Sequence, residues 1–275
     1  MSSTVGTPFG VGPYRLVDAD SHINEPPDLW TSRVSAKLRD RVPRMERLEQ
    51  GDAWVMEGVA DPINFGKNAS AGKPLEERSA WVRWEDIRPG GYDPAARLLE
   101  MDEDLVDAAV LYPTPRISQL VFGTRDPELH LALVRAYNDW IQDFAAHDPA
   151  RLGGLMLVPN RGVADAVAEV ERVAERAGIA GCLIGCYPHG NLDFSAEDDP
   201  VWAAIAAAGA AVHIHVKLVD ELPTDIYRPG VVSDALAAAD LRFLGAPQRM
   251  VQMLNGGVFE RVPDLRVVLA EVDAG

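Results

Sequence analysis

Three segments of this chain carry side chains that can bind a divalent cation. Val17-Asp18-Ala19-Asp20-Ser21-His22-Ile23-Asn24-Glu25-Pro26 runs from an apolar strand into carboxylates and an imidazole. Ala211-Val212-His213-Ile214-His215-Val216 places two histidines two positions apart, and Leu269-Ala270-Glu271-Val272-Asp273 ends in acids. Residues i and i+2 of a strand project from one face, so Asp20 pairs with His22 and His213 with His215, while Asp18 lies one layer deeper. Neutral imidazole and carboxylate oxygen together suit Zn²⁺, Mn²⁺ or Fe²⁺. A single histidine in an apolar strand is most simply a core residue. Two adjacent inward histidines facing another strand that ends in Asp-x-His favour a metal site, if the strand ends converge. His215 is nearer its strand end and is expected to reach the ion; His213 is expected behind it or in the core.

Weaker candidates surround these. His189, in Tyr187-Pro188-His189-Gly190, follows a strand and is a candidate for substrate contact. Glu25 is expected either to support His22 or to reach substrate. His130 and His147 are expected on exposed helical surface, and Arg83, Arg88 and Arg97 either clamp a substrate carboxylate or are simply solvated. The sequence holds no Gly-x-Ser-x-Gly and no Cys/His pairing suited to a nucleophile, which argues against covalent catalysis by a side chain. Cys182 and Cys186 read as small buried apolar residues.

The elements that must position these groups follow a regular beat. Asp93-Pro94 and Asp126-Pro127 open helices, since proline is favoured in a first turn; these run to about Met101 and Ala146. A third helix spans about 163–177 and stops at Gly178, a glycine placed for a C-terminal cap. Asp199-Pro200 starts a short Ala-rich helix ending at Gly209, and further helical segments cover roughly 241–254 and 257–261. Between them lie apolar strands at 108–112, 154–158, 181–186, 211–216 and 265–271, after the opening strand at 15–20. Continuous apolar strands alternating with helices indicate a parallel sheet covered on both faces. A doubly wound sheet and a (β/α)8 barrel both fit. No Gly-x-Gly-x-x-Gly follows the first strand, and polar residues gather at C-terminal strand ends, where a barrel forms its active-site rim. The expectation is a single α/β domain over 1–275, a (β/α)8 TIM barrel.

Two features disturb the pattern. Residues 27–92 form a Pro- and Gly-rich insertion with Trp30, Trp54, Trp81 and Trp84, expected to be a lid over the rim or disordered. The chain stops at Gly275 after its sixth apolar strand, so the barrel is expected to be truncated by two β/α units, with exposed strand edges that favour dimerisation.

Composition sets outer bounds. The chain has 275 residues, 47% hydrophobic and 25% charged, with 26 basic against 42 acidic side chains and a net charge of −16. That balance argues against nucleic acid or an anionic membrane as partner. Without a signal-like leader or a bilayer-length apolar run, a cytoplasmic enzyme with a small-molecule substrate is expected.

The sequence resembles the amidohydrolase-related superfamily, in the branch containing aminocarboxymuconate semialdehyde decarboxylase and γ-resorcylate decarboxylase. The resemblance rests on residues 18–26, Met101-Asp102 through Val110–Thr114, Asn138-Asp139, Pro149–Arg151, Leu157–Pro159, Asp199–Trp202, Val212–His215 and, most specifically, Gly257–Glu271. It implies that Asp20 and His22 occupy the positions of a first-strand ligand pair and that His215 is the fifth-strand ligand. It places Glu271 where the decarboxylases carry a catalytic histidine, and implies a final aspartate ligand that the chain does not reach. One divalent ion is implied, zinc first, with manganese or iron as alternatives. Because Glu271 replaces the histidine, the resemblance is read first as hydrolysis of a C–N or ester bond in a small carboxylate-bearing substrate. Non-oxidative decarboxylation is the alternative, and a truncated non-catalytic family member the rival from another class. A homodimer is expected for the full-length protein.

Overall fold

The strands that carry the candidate ligands lie in one sheet. The computed structural model describes residues 15–219, 221–223 and 245–272. Its six-stranded sheet has the order β1 (Val17–His22), β4 (Ala108–Tyr112), β5 (Leu152–Leu157), β6 (Ile179–Leu183), β7 (Ala211–His215) and β8 (Arg266–Ala270). Every neighbouring pair is parallel. A separate antiparallel hairpin joins β2 (Arg44–Arg47) to β3 (Asp52–Val55). The strand interior follows its burial: β5 is buried throughout, whereas β1 and β8 at the two ends of the order alternate.

The sheet is curled as in a barrel. β1 and β7 are four places apart in the strand order, which in a flat sheet separates them by roughly 19 Å at the usual strand spacing. Yet the rings of His22 and His215 have centroids 5.0 Å apart. Only curvature closes that gap. The expected barrel architecture is thus present, with six of its strands among the described residues.

Helices α1 (Leu29–Arg33), α2 (Pro94–Glu103), α3 (Pro115–Gly123), α4 (Pro127–Ala145), α5 (Val163–Val173) and α6 (Asp199–Ala207) accompany the strands, and two more cover Gly245–Asn255 and Val258–Arg261. The starts of α2 and α4 follow the Asp-Pro signal. The Asp93 carboxylate accepts from the amides of Ala95 and Ala96, and Asp126 accepts from Glu128 and Leu129, satisfying donors that a helix leaves open at its first turn. Leu133, Tyr137, Ile141 and Phe144 form the buried stripe of α4. Gly154 of β5 admits that stripe: a Cβ there would lie 2.6 Å from Ile141 Cγ1. Gly178 adopts φ 85° before β6, a left-handed conformation that glycine takes without steric cost. The helix before it is shorter than the spacing predicts, ending at Val173.

The insertion is not disordered. It is packed rather than loose: Trp30 and Trp54 are buried and meet edge to face at 5.2 Å. Trp30 Nε1 donates to the Leu133 carbonyl of α4, and Asp52 accepts from Arg83 Nη1 and the Trp84 amide. No helix among the described residues is long and apolar enough to cross a membrane.

Candidate metal centre

Asp20 and His22 leave β1 on one face, as the two-residue period requires, and β7 brings His215 to the same point. Asp20 Oδ1 lies 3.4 Å from His215 Nε2 and 3.8 Å from His22 Nε2. One ligand atom from each residue falls within 4.8 Å of the others, the group of acids, histidines and cysteines that meets metal spacing among the described residues. Such separations suit donors that each approach an ion to about 2.0–2.2 Å. His22 Nδ1 donates to the Pro113 carbonyl at 2.9 Å, which places the proton on Nδ1 and leaves the Nε2 lone pair directed inward. Asp20 Oδ1 and His215 Nε2 are buried without a hydrogen-bond partner. Two unsatisfied polar atoms facing each other across a curled sheet are costly, and a cation between them would satisfy both. The residues present therefore fit a divalent metal ion.

The electrostatics agree. Burial lowers the His22 pKa, reinforced by His215 and opposed by the Pro113 carbonyl, Asp20 and Glu271, so the neutral ligand form is favoured. Burial works to raise the Asp20 pKa, but His215, then His22 and His213, outweigh it and hold the carboxylate ionised below its ordinary value. His213 is buried behind His215, pushed down to about 4 by burial and joined through Nδ1 to the Tyr112 hydroxyl at 2.6 Å. The Tyr112 ring packs 5.1 Å from His215 and 6.0 Å from His22. Sequence alone does not single out this tyrosine floor; its local signal is an apolar strand ending in Tyr112 next to Pro113.

Glu271 follows β8, with Oε2 3.6 Å from His215 Nε2 and a half-exposed side chain. It adopts φ 54°, and Val216, the residue after His215, adopts φ 60°. Left-handed backbone is rare for a non-glycine and more so for a β-branched residue. These two positions lie directly beyond β7 and β8, whereas a third, Leu105 at φ 58°, precedes β4 away from the cluster. Asp273 lies outside the described residues.

The remaining candidates sit elsewhere. His189 is held by Asp198, whose carboxylate accepts from the His189 amide at 2.8 Å and from Nδ1 at 2.6 Å; this pins the loop before α6 and does not join the Asp20 cluster. Glu25 is buried, and its carboxylate accepts from the Thr114 amide. Arg83 and Arg97 are spent on Leu48, Asp52, Ser21 and Gly90, and Arg88 pairs with Glu100. His130, expected exposed, is fully buried: Nδ1 donates to the Val121 carbonyl and Nε2 accepts from the Asn160 amide. His147 is exposed as expected, and Cys182 and Cys186 are buried, as read from the sequence.

The amidohydrolase family profile matches residues 17–273. The chain belongs to the amidohydrolase family. It is 30% identical over 194 residues to the 2-amino-3-carboxymuconate-6-semialdehyde decarboxylase of Dictyostelium discoideum, covering 68% of this chain and 50% of that protein. It is 22% identical to the γ-resorcylate decarboxylase of a Polaromonas species over 204 residues, 70% of this chain and 60% of that one. The chain thus spans little more than half the length of these curated relatives. Among solved structures, an amidohydrolase from Mycobacterium avium subsp. paratuberculosis superposes with a TM-score of 0.68 at 25% identity, covering 96% of this chain and 74% of that one. The 5-carboxyvanillate decarboxylase of Novosphingobium aromaticivorans, solved with manganese and 4-hydroxy-3-methoxy-5-nitrobenzoic acid, gives 0.60 at 19% identity, covering 98% and 68%. This second likeness concerns the fold.

Proposed function

We propose that this amidohydrolase-family chain carries the metal site of a non-oxidative decarboxylase acting on a small carboxylate-bearing substrate. The observation that carries the reading is the convergence of Asp20, His22 and His215, with two partnerless buried donor atoms, in a chain whose curated relatives are named decarboxylases. These relatives favour loss of carbon dioxide over the hydrolysis that Glu271, in place of a histidine, suggests.

Asp20, His22 and His215 would hold one divalent ion, which supplies Lewis-acid polarisation of a bound carboxylate or its neighbouring oxygen. His22 presents its Nε2 because Pro113 occupies Nδ1. Tyr112 packs against the two ligand imidazoles, and its hydroxyl is joined to His213 beneath them. Glu271, at the open side and in contact with His215, is placed to deliver a proton to the carbon that keeps the electron pair when the C–C bond to the carboxyl breaks; water then reprotonates it. Manganese is the first ion to test, because it is bound in a fold neighbour, with zinc and iron as rivals. A small-molecule substrate and a homodimer of the full-length protein complete the reading, the latter read by light scattering.

Hydrolysis keeps one point in its favour, the carboxylate of Glu271 where the resemblance expects histidine. The deciding experiment loads the purified protein with Mn²⁺ or Zn²⁺ and offers small aromatic and unsaturated carboxylates alongside amides and esters. Carbon dioxide release with metal, abolished by chelation, is expected. Metal-dependent amide or ester cleavage without carbon dioxide would replace the proposal by the hydrolase reading, and a chain that binds no divalent ion would end both.

A further inference from the structure

The residues that orient His22 are themselves held by a buried acid. Glu25 is 1% exposed, and Oε1 accepts from the Thr114 amide at 3.0 Å. Thr114 Oγ1 donates back to the Ile23 carbonyl at 2.9 Å, and the Ile23 amide donates to the Tyr112 carbonyl at 3.1 Å. Between these bonds sits the Pro113 carbonyl that accepts from His22 Nδ1. Segment 22–25 and segment 112–114 are therefore stitched together on both sides of the one carbonyl that sets the His22 tautomer. The other oxygen, Glu25 Oε2, has no partner, and neither has the buried Tyr137 hydroxyl of α4, which feels the charge of Glu25.

An interior carboxyl with one oxygen unsatisfied destabilises a fold. A leucine of similar size would pack there at less cost, yet it would leave the Thr114 amide without an acceptor. Proline cannot donate, so nothing in Pro113 itself anchors its own peptide. The anchor has to come from the residue that follows. We propose that Glu25 is a positioning residue for the metal centre, fixing the Thr114 amide and through it the Pro113 carbonyl that holds His22 with its Nε2 lone pair toward the ion. This rests on the metal-centre reading of Asp20, His22 and His215. Burial raises the Glu25 pKa to about 7, against the hydrogen bonds from Thr114, so the group is partly neutral near neutrality and its role needs an acceptor oxygen rather than a charge.

That distinction sets the test. Glu25→Gln keeps an oxygen for Thr114, whereas Glu25→Leu removes it. Mn²⁺ titration by calorimetry is expected to give a Gln variant within about threefold of the parent and a Leu variant weakened ~10–100-fold, the range for loss of a group that orients a ligand. Nitrogen-15 spectra of histidine-labelled, metal-free protein, with the His22 signal identified by its loss in His22→Gln, read the tautomer directly. The parent and the Gln variant should hold the proton on Nδ1, and the Leu variant should show a mixture. A Leu variant that melts earlier but keeps both the Mn²⁺ affinity and the Nδ1 tautomer would overturn the inference. If the parent binds no Mn²⁺, the metal-centre reading falls, while the tautomer comparison still decides whether Glu25 positions His22.

Discussion

Glu271 and His22 are assigned different work, and substitution separates them. Glu271→Gln keeps the size and an acceptor oxygen beside His215 but cannot exchange a proton, and Glu271 is not among the three grouped ligands. Mn²⁺ affinity should stay within a few-fold while carbon dioxide release falls ~10²–10⁴-fold, the usual contribution of a positioned acid. Isothermal titration and single-turnover kinetics read the two quantities, and an unchanged rate would remove Glu271 from the reaction. His22→Ala takes away a donor whose tautomer the fold has already set. The expected outcome is loss of stoichiometric metal by elemental analysis with the helical signal in circular dichroism retained. Metal at parental stoichiometry would show that Asp20 and His215 suffice without it.

The elements that deliver these residues were legible where local signals were strong. The Asp-Pro starts of α2 and α4 and the apolar runs of the sheet are written in short windows, and so is the two-residue spacing that puts Asp20 with His22. A direct prediction follows from one of those starts. Asp126→Ala removes the acceptor for the Glu128 and Leu129 amides and the partner of Arg41. It should lower the midpoint of urea unfolding monitored by circular dichroism, as the loss of a helix cap does; no change in midpoint would deny the cap its role. What local windows do not carry is partnership at a distance. Trp30 is fixed by a carbonyl 103 residues away, so the insertion reads as loose until α4 is placed beside it. His130 lies on a buried face because Val121 and Asn160 meet its two nitrogens, and neither neighbour is visible from the helix alone. Tyr112 joins the site only because curvature turns its strand toward β7.

At the scale of the whole molecule, two buried groups outside the metal cluster set opposed pH dependences. Burial lowers His130 from 6.5 to about 4, so between those values the unfolded chain binds the extra proton. Its contribution is fully present above pH 6.5 and is lost as pH falls toward 4. Burial raises Glu25 from 4.5 to about 7, so there the folded chain binds the extra proton. That contribution is fully present below pH 4.5 and is lost as pH rises through 7. Each amounts to a slope of ~1.4 kcal/mol per pH unit inside its window, and the slopes have opposite sign. Over pH 4.5–6.5 the windows overlap and the two nearly cancel. Glu25→Gln removes one of them and exposes the other. Urea unfolding of parent and variant in a metal chelator, at intervals from pH 4.5 to 7.5, should show the variant gaining on the parent by ~3 kcal/mol across that span. The gain should accrue up to about pH 7 and level off beyond it. A difference independent of pH would mean that Glu25 is ionised in the folded protein throughout, with its second oxygen satisfied by a group or water that the buried site admits.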